Sequence, residues 1–316
     1  YRIDWPNELD ICCEKGIYVE TAYKVASIFD LEIGLINVKE FENIKFYVKG
    51  EGFKTEYELI IDENGWTISK NKGEEVNFCI KTKKVGLTDF FRENPPEIKF
   101  VDQSSLQGNI YITIKNNKNF KFLDEQIIQW KWDDIDIHKE SQGITKDIKS
   151  IQYFTIQQLL KYDYDVVFDD DASGEIADIV AIKEMKDEIH FEFYHCKYAH
   201  GEKPGGRVSD LYEVCGQAEK SVLWKCDMTN VLDRMKYRES KRLKEKGVSR
   251  FEKGDLKKIA YLRNKLKFVK STLDIYIVQP GVSKNQITDD MHQILCSAQA
   301  YLLDTYGIAL KLICSD

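Results

Sequence analysis

The chain has 316 residues, 43% hydrophobic and 31% charged, with only 5 Pro and 18 Gly and a formal net charge of −7; roughly two domains are expected, and collagen-like, mucin-like and wholly disordered classes are excluded. Its 8 Cys are dispersed without a C-x-x-C pair, which excludes a zinc ribbon or redox motif and fits a reducing, cytoplasmic setting. No apolar run approaches the ~18 residues of a membrane span and no leader pattern opens the chain, so a soluble protein without membrane partners is expected, excised or processed from a longer one because it begins at Tyr1.

To about Trp132 the sequence reads mainly as strands. Phe46 to Lys49, Tyr57 to Ile61, Trp66 to Ser69, Val76 to Lys81 and Ile110 to Ile114 are short β-branched and aromatic runs separated by turn chemistry. Glu63-Asn64-Gly65 is a hairpin signal. One helix is predicted over Glu20 to Phe29, with Ala22, Val25, Ala26 and Phe29 on a common face. The polar stretch Asp133 to Asp147 predicts the boundary, giving a β-rich accessory domain over 1–145 and a second domain over 146–316.

The second half changes period. Ser150 caps a predicted helix to about Leu160, and strands follow at Asp165 to Phe168, Ile176 to Ile182 and Ile189 to Tyr198. Val208 to Trp224 reads as a helix, a basic helical insertion spans 232–270, Leu273 to Val278 is a buried-type strand, Thr288 to Tyr306 a helix and Ala309 to Cys314 a last strand. Meandering strands followed by a crossover helix predict an α/β mixed sheet flanked by helices.

Charge is segregated along this order. Arg234 to Lys270 holds 15 Lys plus Arg against 4 Asp plus Glu, an excess of +11 that leaves −18 on the rest of the chain. Such a split marks either a polyanion-facing surface or a solvated, charge-rich helical pair. Lys241, Arg242, Lys257 and Lys258 are its candidate nucleic-acid contacts, with Tyr237, Phe251, Tyr261 and Phe268 interleaved for stacking or for a core stripe.

The strand Ile189 to Tyr198 carries the chemistry. Period-two alternation puts Phe191, Phe193, His195 and Lys197 on one face, with His195 and Lys197 roughly 7 Å apart at a rise of ~3.3 Å per residue. A Lys on a largely apolar face requires an anion nearby, and Asp178, an acid embedded in Ile176-Ala177-Asp178-Ile179-Val180, is its candidate partner or a candidate metal ligand. A buried Asp-Lys pair joining two strands would use the same residues.

The Gly174-Glu175-Ile176-Ala177-Asp178 segment, the strand ending His195-Cys196-Lys197 and the order helix, three strands, helix, strand resemble the PD-(D/E)XK nuclease superfamily. That resemblance implies a restriction-endonuclease-like fold from about Ser150 onward and a metal-dependent deoxyribonuclease. Asp178 is then the first metal ligand, and Lys197 the lysine that positions water and steadies charge on the phosphate. His195 occupies the position where the superfamily has Asp or Glu. The cofactor expected is Mg²⁺ or Mn²⁺, imidazole suiting Mn²⁺ better, with further oxygen ligands from Glu175, Asp170 or Asp171 and the Cys196 carbonyl. Gln217, on the following helix, is a candidate for holding substrate or water, and Arg207 for a phosphate contact. The whole chain, through Leu87-Thr88-Asp89-Phe90-Phe91 and Glu93-Asn94-Pro95-Pro96, also resembles the C-terminal part of bacterial DEAD/DEAH-box helicase proteins of antiphage defence, which implies DNA and a helicase region or other defence subunit as partners. No Gly-rich loop ending in Gly-Lys-Ser or Gly-Lys-Thr is present, so ATP binding is not expected. The alternative is a catalytically inactive nuclease-like module that binds DNA or docks a partner.

Overall fold

Ser150 ends an extended segment, and its hydroxyl accepts the Tyr153 N–H at 3.1 Å, which starts the helix around which the second half of the chain is organised. The computed structural model describes residues 2–6, 17–21, 25–36, 43–63, 65–80, 83–100, 104–112, 122–172 and 174–316. It divides into two units, Tyr1–Asn116 and Asn117–Asp316. The division falls earlier than the polar stretch that predicts it, because residues 127–129 form a strand of the second unit's sheet.

Among the described residues, the first unit contains antiparallel sheets, the longest strands being Ile44–Gly50, Phe53–Asp62 and Gly65–Lys72. Asp62 pairs with Gly65, which closes the hairpin expected there, and Gly65 takes φ 128°, a region open chiefly to glycine. Asn64, Lys81 and Ile114 lie outside the described residues. Helix Leu87–Glu93 buries Leu87, Phe90 and Phe91, and the Phe91 ring centroid lies 5.5 Å from Phe46 and 5.6 Å from Tyr57. The helix expected over Glu20 to Phe29 is not formed: Ile17–Glu20 and Val25–Ser27 are paired strands and Ile28–Asp30 a 3-10 turn, residues 22–24 lying outside the described set. Pairing with Asn77–Ile80 buries Val19 fully and outweighs a weak helical period, and Val25 is exposed rather than on an inner face.

The second unit is mixed α/β. Its elements are β1 (Ile127–Gln129), α1 (Ile151–Leu159), β2 (Val166–Asp169), β3 (Ile179–Glu184), β4 (Glu188–Cys196), α2 (Ser209–Ser221), α3 (Met228–Lys246), β5 (Phe251–Lys253), α4 (Leu256–Lys265), β6 (Lys270–Ser283), α5 (Asp289–Ala300) and β7 (Ala309–Ser315). The seven strands are ordered β1-β7-β6-β4-β3-β2-β5. β2, β3 and β4 form an antiparallel meander, and β6 runs parallel to both β4 and β7. The segment joining β4 to β6 begins with α2 and then contains the basic insertion, which is α3, the edge strand β5 and α4.

Alternation decides the layers. Ile151, Ile156 and Leu159 of α1 pack on Tyr194, Cys196, Tyr276 and Val278 on one face of the sheet. Their neighbours of opposite parity, Phe191, Phe193 and His195, lie on the face covered by α2. Buried side chains of this size contribute about 1.5–3 kcal/mol each. Gly247 ends α3 at φ 69°, its N–H reaching the Leu243 carbonyl at 3.0 Å. No helix among the described residues is long and apolar enough to cross a membrane.

Candidate metal centre

Strand β3 begins at Ile179, later than the sequence predicts, because the preceding residues belong to a tight acidic loop. The Asp170 N–H donates to the Asp178 carbonyl at 2.9 Å, and the Ile176 N–H to the Asp170 carboxylate at 2.7 Å. Asp178 is therefore the last residue of the loop, and the register Ile179↔Tyr194 extended by one places it opposite His195. Its Oδ2 accepts the Cys196 N–H at 2.8 Å, and Gln152 of α1 donates to its carbonyl at 3.3 Å. The carboxylate is thus oriented from β4 and its backbone from α1.

Asp171, Glu175 and Asp178 each bring a carboxylate oxygen within 4.8 Å of the others. Of the ligands expected, Glu175 and Asp178 come together and Asp171 joins them. Asp170 does not, since it is fully buried in an ion pair with Arg238. For Cys196 it is the backbone N–H that lies against Asp178, while burial pushes its thiol up. Burial raises Asp178 well above the usual carboxylate range, the Glu175 charge adding to it. Burial likewise pushes Glu175 up to about 7, against a hydrogen bond from the Ala172 N–H and with help from the charges of Asp171 and Asp170. Three mutually repelling carboxylates in an all-oxygen set fit a hard divalent cation, whose charge would reverse both shifts.

The shift on Glu175 gives a pH prediction. The folded, metal-free protein keeps the Glu175 proton up to about pH 7, while an unfolded chain releases it near 4.5. The stability this confers is full below 4.5 and lost as pH rises through 7. Thermal melts in chelator should therefore show wild type losing ground to Glu175→Gln between pH 5 and 8, with excess Mn²⁺ reversing the order at pH 8. A difference that does not vary with pH would contradict the burial of this carboxyl.

Lys197 follows β4, its N–H bonded to the Val278 carbonyl at 3.0 Å. Its ammonium lies 2.9 Å from Glu213 of α2 and 3.3 Å from Glu140, rather than against Asp178, and 4.8 Å above the Tyr198 ring. Burial opposes its charge, but the hydrogen bond it donates to Glu213 and the Glu140 charge more than offset this, so its pKa is raised and it stays an ammonium at neutral pH. Glu140 is the site residue that sequence reasoning missed: it lies in the stretch read as a linker and also accepts the Tyr198 N–H at 3.2 Å.

His195 is placed differently from expectation. It is 97% buried beneath α2, where its Nε2 meets Ser221 Oγ at 2.7 Å. Ser221 Oγ also lies 2.9 Å from the Ile176 carbonyl, and Nδ1 has no hydrogen-bond partner among the described residues. Burial pushes the ring down to about 3, so it is neutral. It is not among the converging ligands. Gln217, one turn before Ser221, is half-buried, and its Oε1 has no hydrogen-bond partner among the described residues.

The expected phosphate contacts divide sharply. Arg207 is pinned to Asp210 at 3.0 Å and to the Lys203 carbonyl at 2.7 Å, holding its own loop. Arg242 is buried against Asp169 at 2.9 Å, and Lys258 bridges Asp165 and Glu184, each at 2.8 Å. Lys241 is half-buried and Lys257 exposed. Arg242 is thus buried, while Lys258 and Arg207 are partly exposed but engaged in ion pairs. Glu192 points to the opposite face, where Tyr164, Tyr194 and His190 donate to it. Comparison of the chain with protein-family models, curated proteins and solved structures finds no match.

Proposed function

We propose that the second unit is a metal-dependent nuclease of the PD-(D/E)XK type that hydrolyses DNA phosphodiester bonds. The observation that carries this reading is the convergence of Asp171, Glu175 and Asp178 at the strand end from which Lys197 emerges on the same sheet face. The element order supports it: α1, the β2-β3-β4 meander, α2 and a β6 parallel to β4 is the arrangement the sequence resemblance implies. Asp171, Glu175 and Asp178 would hold Mg²⁺ or Mn²⁺, which supplies Lewis acidity toward a phosphoryl oxygen when bound.

The chain's own residues account for the rest. Lys197, kept charged by Glu213 and Glu140, offsets negative charge growing on the phosphate rather than removing a proton. The unpartnered Gln217 Oε1 can accept from a water or a sugar hydroxyl. On the insertion, Lys236, Lys244, Lys246, Lys257 and Lys267 are exposed and make no ion pair among the described residues, which leaves them to grip a backbone without reading sequence. By the separate resemblance of the whole chain to the C-terminal part of helicase proteins, antiphage defence beside a helicase region is the proposed setting.

Supercoiled plasmid incubated with the purified protein should be cut with Mg²⁺ or Mn²⁺ and spared in chelator. Binding without cutting under either metal would favour a DNA-binding module that has lost catalysis, a reading that the neutral, buried His195 supports. With five lysines on phosphates, log K should fall against log salt with a slope of about −4.5. A flat salt response would remove the insertion from the DNA surface.

A further inference from the structure

The basic insertion has an inner face as well as an outer one. Arg234, Arg238 and Arg242 are spaced by four residues on α3 and so share one side of the helix. Two of them reach the loop that carries Asp171 and Glu175, and the third reaches Asp169, the end of the strand that leads into it. Arg234 donates to the Gly174 carbonyl, Arg238 pairs with the Asp170 carboxylate and donates to the Asp170 carbonyl at 2.6 Å and the Ala172 carbonyl at 3.3 Å, and Arg242 holds Asp169. Arg250, after the helix, donates to the Asp169 and Asp171 carbonyls at 2.9 and 3.0 Å. The loop these groups hold is strained: Ala172 sits at φ 143°, a conformation unfavourable outside glycine that persists only where surroundings impose it.

We propose that Arg238 is a positioning residue for the metal centre, acting through the backbone of residues 170–172 to hold Asp171 and Glu175 in reach of Asp178. This rests on the metal reading above and adds a role for the insertion that its net charge does not suggest. Arg238 pairs with the Asp170 carboxylate and donates to two backbone carbonyls of the loop, and its charge also acts on Glu175. Its guanidinium shape matters as well as its charge, because Nη2 donates to two carbonyls while the Nε edge lies in an ion pair with the Asp170 carboxylate. Partners of this indirect kind typically set metal affinity by about 10- to 100-fold.

The test is Mn²⁺ titration by calorimetry on wild type, Arg238→Met, Arg238→Lys and the double variant Asp170→Asn/Arg238→Met, with Glu245→Ala on the exposed side of α3 as control. Arg238→Met alone leaves Asp170 buried and unpaired, so it is expected to lose stability. The double variant removes both charges, keeps an acceptor for the Ile176 N–H, and is expected to melt near wild type while binding Mn²⁺ about 10- to 100-fold more weakly. Arg238→Lys should fall between, and Glu245→Ala should bind as wild type. A well-folded double variant with wild-type Mn²⁺ affinity overturns the proposal. If wild type binds no Mn²⁺, the metal reading fails separately, and amide exchange across 170–178 decides the positioning claim. Faster exchange in the double variant sustains it, and unchanged exchange overturns it.

Discussion

Asp178→Asn is expected to produce a protein that cuts no DNA, binds Mn²⁺ more than about a hundredfold more weakly, and melts higher than wild type in chelator at pH 8. The first two effects follow from losing a carboxylate at the centre of the ligand set, where even indirect partners are worth about 10- to 100-fold. The third follows from electrostatics. Burial and the neighbouring Glu175 disfavour the ionised form of Asp178, so above neutrality the metal-free fold carries a repulsion that asparagine removes. Asparagine still offers an oxygen to the Cys196 N–H, which keeps the end of β4 tied to the loop. Gain of stability with loss of activity is the pattern of a site built for a ligand rather than for the fold. Plasmid cleavage, calorimetry and thermal melts read the three effects independently, and wild-type cleavage by this variant would end the hydrolase reading.

What the sequence disclosed is what depends on local period. Alternation along Phe191 to Lys197 put His195 and Lys197 on one face and Glu192, Tyr194 and Cys196 on the other, and the sheet has that arrangement. The acid at Asp178 was visible because it stands among apolar residues, although the strand read around it begins only at Ile179. Glu140 was invisible because its meeting with Lys197 is made by a stretch without periodicity, held by bonds such as Ile151 N–H to the Lys139 carbonyl. His195 looked like a site residue because its type carries chemistry, but only the packing of α2 shows Ser221 closing over it. The basic segment was misread in part since a charge count has no phase. The four-residue spacing of Arg234, Arg238 and Arg242 was legible, but the acids they answer lie in a distant loop, and an edge strand, β5, sits between the two helices.

Lys197→Met is expected to lower the cleavage rate by about 10²–10³-fold while leaving the fold, Mn²⁺ binding and DNA affinity close to wild type. Methionine fills the buried stem of the lysine and deletes only the ammonium. Of the two acids released, Glu213 is more than half exposed and turns to water, and Glu140 keeps the Tyr198 N–H, so little stability is at stake. DNA affinity should hold because the exposed lysines of the insertion, not Lys197, supply the long-range attraction. Lys197→Arg separates charge from shape: it restores a cation against Glu213 and Glu140 but in a planar fork, and should recover activity only in part. The two acids also decide the role. Because they hold Lys197 charged at neutral pH, it cannot take a proton from water there, and the rate should not climb about tenfold per pH unit toward pH 9 as a lysine base would require. A climb of that size in wild type, absent in Lys197→Arg, would make Lys197 a base and overturn its assignment as the group that steadies phosphate charge.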